Sequence, residues 1–237
     1  MSNKGEDTMK EKLEQIRKEI DEAAKKSGRA IEDITLIAVS KTYPAQAVKE
    51  AMALGCKDFG ENHVQELMQK IEQIEEPVHW HLIGYLQTNK IKYIIGKTAL
   101  IHSVDRLKLA EEINKQSAKN GCITDVLIEV NVAQEPSKHG FLVEEVLPVM
   151  SQLSRLKNIR VRGLMTVAPF VEDPEENRPI FRKLYDLSVD IQKQKFDNIS
   201  SDILSMGMSN DYKIAIEEGA TMVRIGTAIF GNRDYTK

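Results

Sequence analysis

Lys41 stands where a buried strand stops. In Leu36-Ile37-Ala38-Val39-Ser40-Lys41-Thr42-Tyr43-Pro44, apolar and β-branched residues give way to a lysine, and Pro44 then opens a helix. A lysine held by rigid backbone at a pocket mouth can lose its proton, attack a carbonyl carbon and form a Schiff base. Far along the chain, Val223-Arg224-Ile225-Gly226-Thr227-Ala228-Ile229-Phe230-Gly231 is a strand running into a Gly-Thr turn. The backbone N–H groups and hydroxyl of such a turn suit a phosphate. Ser205-Met206-Gly207-Met208-Ser209-Asn210-Asp211 joins another apolar run to a helix. Gly207 would let the backbone approach a ligand closely, and Ser209 can cap the helix or offer its hydroxyl to the same phosphate. An amine nucleophile beside a phosphate cradle calls for a phosphorylated carbonyl compound. Pyridoxal 5′-phosphate (PLP) is the leading candidate.

Further polar residues cluster at strand ends. Arg224 lies two residues before Gly226, further down its strand, within reach of the far side of such a ligand. Asn62 follows Phe59-Gly60-Glu61, as a helix N-cap with a donor directed inward. His79 and His81 share one strand face, two positions apart. No Asp or Glu completes a metal set in that loop, so His81 is expected to line a pocket as a polar residue. Lys138-His139-Gly140 brings a second cation toward the mouth, in what reads as a solvated loop.

The elements that must position these groups repeat along the chain. Strand-length apolar runs fall at 34–40, 57–60, 78–83, 100–104, 125–131, 159–167, 203–206 and 221–225. Stretches at helical period or with helix-start signals follow them, at 44–54, 62–74, 88–95, 106–120, 143–156, 174–193 and 210–218, with a short tail after the last strand. Runs without polar alternation fit strands buried on both faces, as a parallel sheet requires. Eight strand–helix units predict an α/β fold, a closed (β/α)8 TIM barrel, whose functional residues gather at the C-terminal ends of the strands. Gly55, Gly121 and Gly219 read as helix-ending positions, and Asp105 and Ser209 as N-caps. An additional amphipathic helix over 8–26, with Leu13, Ile16, Ile20 and Ala24 on one face, is expected to cover the bottom or flank of the barrel. Residues 1–237 read as one domain, with 1–30 an N-terminal extension and helix.

The chain has 237 residues and a net charge of −3, so no basic field invites nucleic acid or an anionic membrane. Cys56 and Cys122 are the only cysteines and lack metal-type spacing, which suits reduced thiols and a cytoplasmic location. Residues 1–7 carry no apolar leader, and no run approaches the roughly 20 apolar residues of a membrane span.

The motifs Val39-Ser40-Lys41-Thr42, Phe59-Gly60-Glu61-Asn62, His81-Leu82-Ile83-Gly84, Gly163-Leu164-Met165, Ser205 to Asp211 and Arg224 to Gly231 closely resemble the YggS/PROSC family of PLP homeostasis proteins. The resemblance runs from about residue 34 onward, with every motif in order. It implies a fold-type III PLP barrel, like the N-terminal domain of alanine racemase and bacterial-type ornithine decarboxylase. It further implies that Lys41 carries PLP, that Ser209, Gly226 and Thr227 hold the phosphate, and that Arg224 faces the pyridine nitrogen. Asn62, His81 and Met165 would line the ring pocket. Tyr43 is given no role.

Two features argue against turnover. An arginine at the pyridine nitrogen cannot accept the proton that a strong electron sink requires. Only residues 232–237 follow Gly231, too few for the second domain that supplies an acid/base group in racemases. The expectation is a monomeric, non-catalytic protein that buffers PLP or delivers it to apo PLP-dependent enzymes. A low-activity amino-acid racemase is the alternative, and a barrel for another carbonyl or sugar phosphate is a third reading.

Overall fold

Eight parallel strands close into a barrel in simple chain order. The structure, a computed structural model, describes residues 8–231; the expectations placed on residues 1–7 and 232–237 lie outside the described residues. The strands are β1 (Thr35–Val39), β2 (Asp58–Glu61), β3 (His79–Leu82), β4 (Leu100–Val104), β5 (Thr124–Glu129), β6 (Ile159–Met165), β7 (Ile199–Met208) and β8 (Met222–Ile225). Pairing of Thr35 with Met222 and of Ile37 with Arg224 closes β8 onto β1. The helices are α1 (Met9–Lys26), α2 (Ala45–Ala53), α3 (Val64–Gln73), α4 (Ile91–Ile94), α5 (Leu107–Lys119), α6 (Val143–Leu153), α7 (Arg178–Lys193), α8 (Tyr212–Glu217) and α9 (Thr227–Phe230).

Helix α1 is tied at its start by a capping box, in which Thr8 and Glu11 satisfy each other's backbone donors. Its Leu13, Ile16, Ile20 and Ala24 are all buried, and the helix packs on the flank of the barrel, against α8 and α9. Gly55, Gly121 and Gly219 end helices in the left-handed region, as their sequence positions predict.

Several local expectations are corrected. Strand β7 is ten residues long rather than four. Its polar first half hides the pattern, and it is held by Ser201 Oγ donating to the Ser188 carbonyl of α7, 2.7 Å away. Asp105 does not cap α5; Arg106 occupies the cap position, and the Asp105 carboxylate pairs with Arg106 and His139 instead. Asn62 does not cap α3, which begins after His63. Ser209 does not cap α8, which begins after Asp211. Each proposed cap lies one or two residues too early, which leaves Asn62 and Ser209 in the loops above the strands.

Two apolar regions stabilise the barrel. The larger lies between strands and helices. The smaller unites Leu100, Leu127 and Met165, with Val167, Ile203 and Met222 packed against them, and plugs the lumen. Because side chains alternate along a strand, the residues two positions after this plug also face inward. Those residues are His102 after Leu100, Glu129 after Leu127, Ser205 after Ile203 and Arg224 after Met222. A polar layer therefore sits directly above an apolar one, on the side of the strands' C-terminal ends.

Candidate functional site

The turn after β1 sets Lys41. Ser40 is fully buried, Lys41 is half-buried, and the Tyr43 N–H donates to the Ser40 carbonyl at 3.0 Å, closing a tight turn. Thr42 sits at φ 70°, a left-handed conformation that threonine adopts only when its surroundings require it. The surroundings are a buried charged network. Lys70 of α3, 3% exposed, donates to the Ser40 carbonyl at 2.7 Å, to Glu61 Oε1 at 2.5 Å and to Glu66 Oε1 at 2.9 Å. The Ser40 hydroxyl donates to the same Glu61 oxygen at 2.6 Å, and the Thr42 N–H donates to Glu66 at 2.5 Å. The backbone on both sides of Lys41 is thus anchored, to the Lys70 ammonium before it and the Glu66 carboxylate after it, with Glu61 holding the Ser40 side chain. Burial raises the pKa of Glu61 against the pull of Lys70, and its second oxygen makes no hydrogen bond.

The loops after β7 and β8 meet at two hydroxyls. Thr227 Oγ1 lies 3.4 Å from Ser209 Oγ. Gly226 immediately precedes α9, and a β-carbon there would lie 3.2 Å from the Val39 carbonyl oxygen at the end of β1. This contact brings the Gly226-Thr227 turn against the strand that carries Lys41. At φ 91°, a β-carbon on Gly207 would fall 2.6 Å from the Ala215 Cβ, so the glycine lets the end of β7 approach α8 closely. The donor set fits a phosphate: two hydroxyls converge, and the first N–H groups of a helix have no partner within that helix.

Arg224 is 4% exposed inside the barrel. Its Nη1 donates to Ser205 Oγ at 2.6 Å and its Nη2 to the Thr166 carbonyl at 2.8 Å. Burial lowers its pKa to about 10, opposed by the charges of Asp211 and Glu129, so it remains a cation at neutral pH. Glu129, beside it, is raised to about 7, first by burial and then by Asp105, with Arg224 acting the other way.

His81 is buried, and both its ring nitrogens are engaged within the protein, with Asp58 at 3.1 Å and His102 at 2.9 Å. It can therefore present a ring face or edge to a ligand but no hydrogen bond. Met165 lies in the apolar plug. Asn62 is half-buried above β2. His79 shares its strand face with His81 as expected, and both bond Asp58 Oδ1. Among the described residues, no group of three or more His, Cys, Asp or Glu is arranged to hold a metal ion. The loop of Lys138 and His139 is tied down rather than freely solvated. Lys138 donates to the carbonyls of Val167 and Ala168, and His139 stacks on Tyr85 with ring centroids 4.2 Å apart.

Sequence reasoning did not single out Lys70, Asp58, His102, Ser205 or Glu129. The signal for His102, Ser205 and Glu129 was available: a polar residue at an inward position two places after an apolar one, in a strand otherwise buried on both faces.

Residues 12–234 match the family described as alanine racemase, N-terminal domain. A protein of Aquifex aeolicus named pyridoxal phosphate homeostasis protein is 46% identical over 226 residues, 95% of this chain and 98% of that one. One of the same name from Pseudomonas aeruginosa is 41% identical, over 96% of this chain and 97% of that one. Among solved structures, PipY of Synechococcus elongatus with PLP bound superposes with a TM-score of 0.83 at 32% identity, covering 94% of this chain and 100% of that one.

Proposed function

Because this chain belongs to the alanine racemase N-terminal-domain family, and within it to the pyridoxal phosphate homeostasis proteins, we propose that it binds PLP and maintains its supply without turning over amino acids. The observation that carries this reading is the convergence of three strand ends: the anchored Lys41 turn, the paired hydroxyls of Ser209 and Thr227, and the buried cation Arg224. When bound, PLP supplies an aldehyde that condenses with a lysine amine with loss of water, and a phosphate carrying about two negative charges. Lys41 provides the amine. Ser209, Gly226 and Thr227 take the phosphate with hydroxyl and N–H donors. Arg224 donates to the ring nitrogen, and Asn62, His81 and Met165 bound the ring.

Non-catalysis is supported from two sides. The relatives are named for homeostasis and not for a reaction. Arg224 keeps its charge and can only donate, so it cannot accept a hydrogen bond from a protonated ring nitrogen and does not stabilise that form. The protein acts as a monomeric single domain in the cytoplasm and passes PLP to apo PLP-dependent enzymes. The unpaired thiols of Cys56 and Cys122 suit that compartment. No helix among the described residues is long and apolar enough to cross a membrane.

The test combines loading, transfer and turnover. Protein loaded with PLP should absorb in the visible, lose that band on borohydride treatment with the label on Lys41, and activate an added apo PLP enzyme. Lys41→Ala should abolish the band. Multiple racemisation turnovers on an amino-acid panel, followed by chiral chromatography and abolished by Lys41→Ala, would instead establish the racemase reading.

A further inference from the structure

A continuous hydrogen-bond chain crosses the barrel lumen beneath the proposed site. It runs from Arg224 Nη1 to Ser205 Oγ (2.6 Å), from Ser205 Oγ to His102 Nδ1 (2.9 Å), from His102 Nε2 to His81 Nδ1 (2.9 Å) and from His81 Nε2 to Asp58 Oδ1 (3.1 Å). Five strands contribute one residue each, and the link from His102 to Ser205 spans from β4 to β7. His81, His102, Ser205 and Arg224 are all buried, and His102 and Ser205 are fully so.

With neutral imidazoles between them, the two ends of this chain set the direction of every proton in it. A guanidinium can only donate and an ionised carboxylate can only accept. Asp58 is ionised: burial opposes its charge, but the hydrogen bond from His81 helps hold its pKa below the ordinary value. His81 must therefore carry its proton on Nε2, which leaves Nδ1 as an acceptor. His102 then carries its proton on Nε2 as well and accepts from the Ser205 hydroxyl at Nδ1. The Ser205 oxygen remains to accept from Arg224. Each neutral imidazole uses one donor and one acceptor, and no group along the way is left unsatisfied. Burial, His81 and Arg224 together hold the pKa of His102 well below the ordinary imidazole value, in keeping with a neutral ring. The charged groups facing Arg224 from its other neighbours, Glu129 and Asp211, lie outside the chain.

We propose that Asp58, His81, His102 and Ser205 are positioning residues that hold Arg224 by a one-way hydrogen-bond chain directed away from the cofactor. This rests on the reading that Arg224 faces the ring nitrogen of PLP. It adds a physical reason for weak electron-sink chemistry. Every proton along the chain is committed toward Asp58, so the chain has none to return through Arg224 to the ring nitrogen. That nitrogen accepts a hydrogen bond and stays unprotonated.

The chain is tested first in the PLP-free protein, by imidazole 15N NMR at pH 7.5, with the His81 and His102 signals assigned from His81→Gln and His102→Gln. Both rings should be neutral, with the proton on Nε2 and a bare Nδ1. A charged ring, or His102 protonated on Nδ1, overturns the proposal whatever the cofactor does. The coupling to the site is then read in protein loaded with PLP. Ser205→Ala removes the hydroxyl between Arg224 and His102, and it should move the visible absorption maximum and weaken PLP binding by about three- to tenfold. A Ser205→Ala protein with the parent's spectrum and affinity overturns the positioning role while leaving the PLP reading intact. A parent that takes up no PLP overturns the PLP reading, and the positioning role with it, while the tautomers still decide the direction of the chain.

Discussion

Two buried polar networks flank the proposed site, and they are built on opposite principles. Behind Lys41, outside the barrel wall, Lys70 joins Glu61 and Glu66 in a charged cluster that grips backbone: the Ser40 carbonyl and the Thr42 N–H. Inside the barrel, neutral histidines and a serine link two charges at the far ends and grip a side chain, the Arg224 guanidinium. The difference follows from what each must hold. A strained turn at Thr42 requires short, strong, charge-assisted contacts to its backbone. A guanidinium that must keep its own charge for a ligand is better served by neutral partners. A carboxylate directly against it would pair with it and consume its field.

The contrast predicts unequal costs. Lys70→Met leaves Glu61, which is fully buried, without its counter-ion, and should destabilise the fold by about 3–5 kcal/mol. Denaturant melts should show a smaller deficit at pH 5 than at pH 8. The pKa of Glu61 is raised in the folded state, so a protonated Glu61 is the better tolerated form, and that stability is lost as pH rises. Adding Glu61→Gln should recover part of the loss. A Lys70→Met penalty no larger than that of Ser205→Ala would erase the distinction between the networks.

Glu129 tests the interior from another direction. Its pKa of about 7 in the folded protein lies above the ordinary carboxylate value of 4.5. The sign follows directly: its contribution is fully favourable below about pH 4.5 and is lost as pH rises through 7. Glu129→Gln should therefore match the parent near pH 4 and exceed its stability above pH 7, by on the order of 3 kcal/mol. A stability profile of the parent that is flat between pH 5 and 8 and unchanged by the substitution would mean that Glu129 is ionised throughout. The interior would then be an ion-pair network like the outer one.

The smallest expected effect separates both supporting networks from the ligand contacts themselves. Ser209→Ala or Thr227→Val removes a hydroxyl from a charged oxygen, at about 1.5–3 kcal/mol. PLP affinity should fall roughly tenfold to a hundredfold, while the melting temperature without PLP stays at the parent value. Unchanged dissociation constants in both variants would place the phosphate elsewhere.

Much of the architecture was written locally. Strand β4 spans the residues expected of it, because Leu100, Ile101 and Val104 carry a strand-length apolar pattern that Asp105 ends. The lysine at the end of β1 and the Gly-Thr turn after β8 could be found because backbone position alone gives them meaning. The N-caps were misplaced because Asp105, Asn62 and Ser209 are good caps in isolation and lose that role to contacts made elsewhere, such as that of Asp105 with His139.

The sequence by itself determined the barrel, the amine at the top of its first strand and the paired hydroxyl-bearing loops after β7 and β8, since each depends on periodicity or on residues adjacent in the chain. Only the tertiary structure decided what holds them. Lys70 reaches Ser40 across 30 positions, and His102 reaches Ser205 across 103. Buried hydrogen bonds are selected by distance in space, and closing the barrel brings to within 3 Å side chains that no local pattern connects.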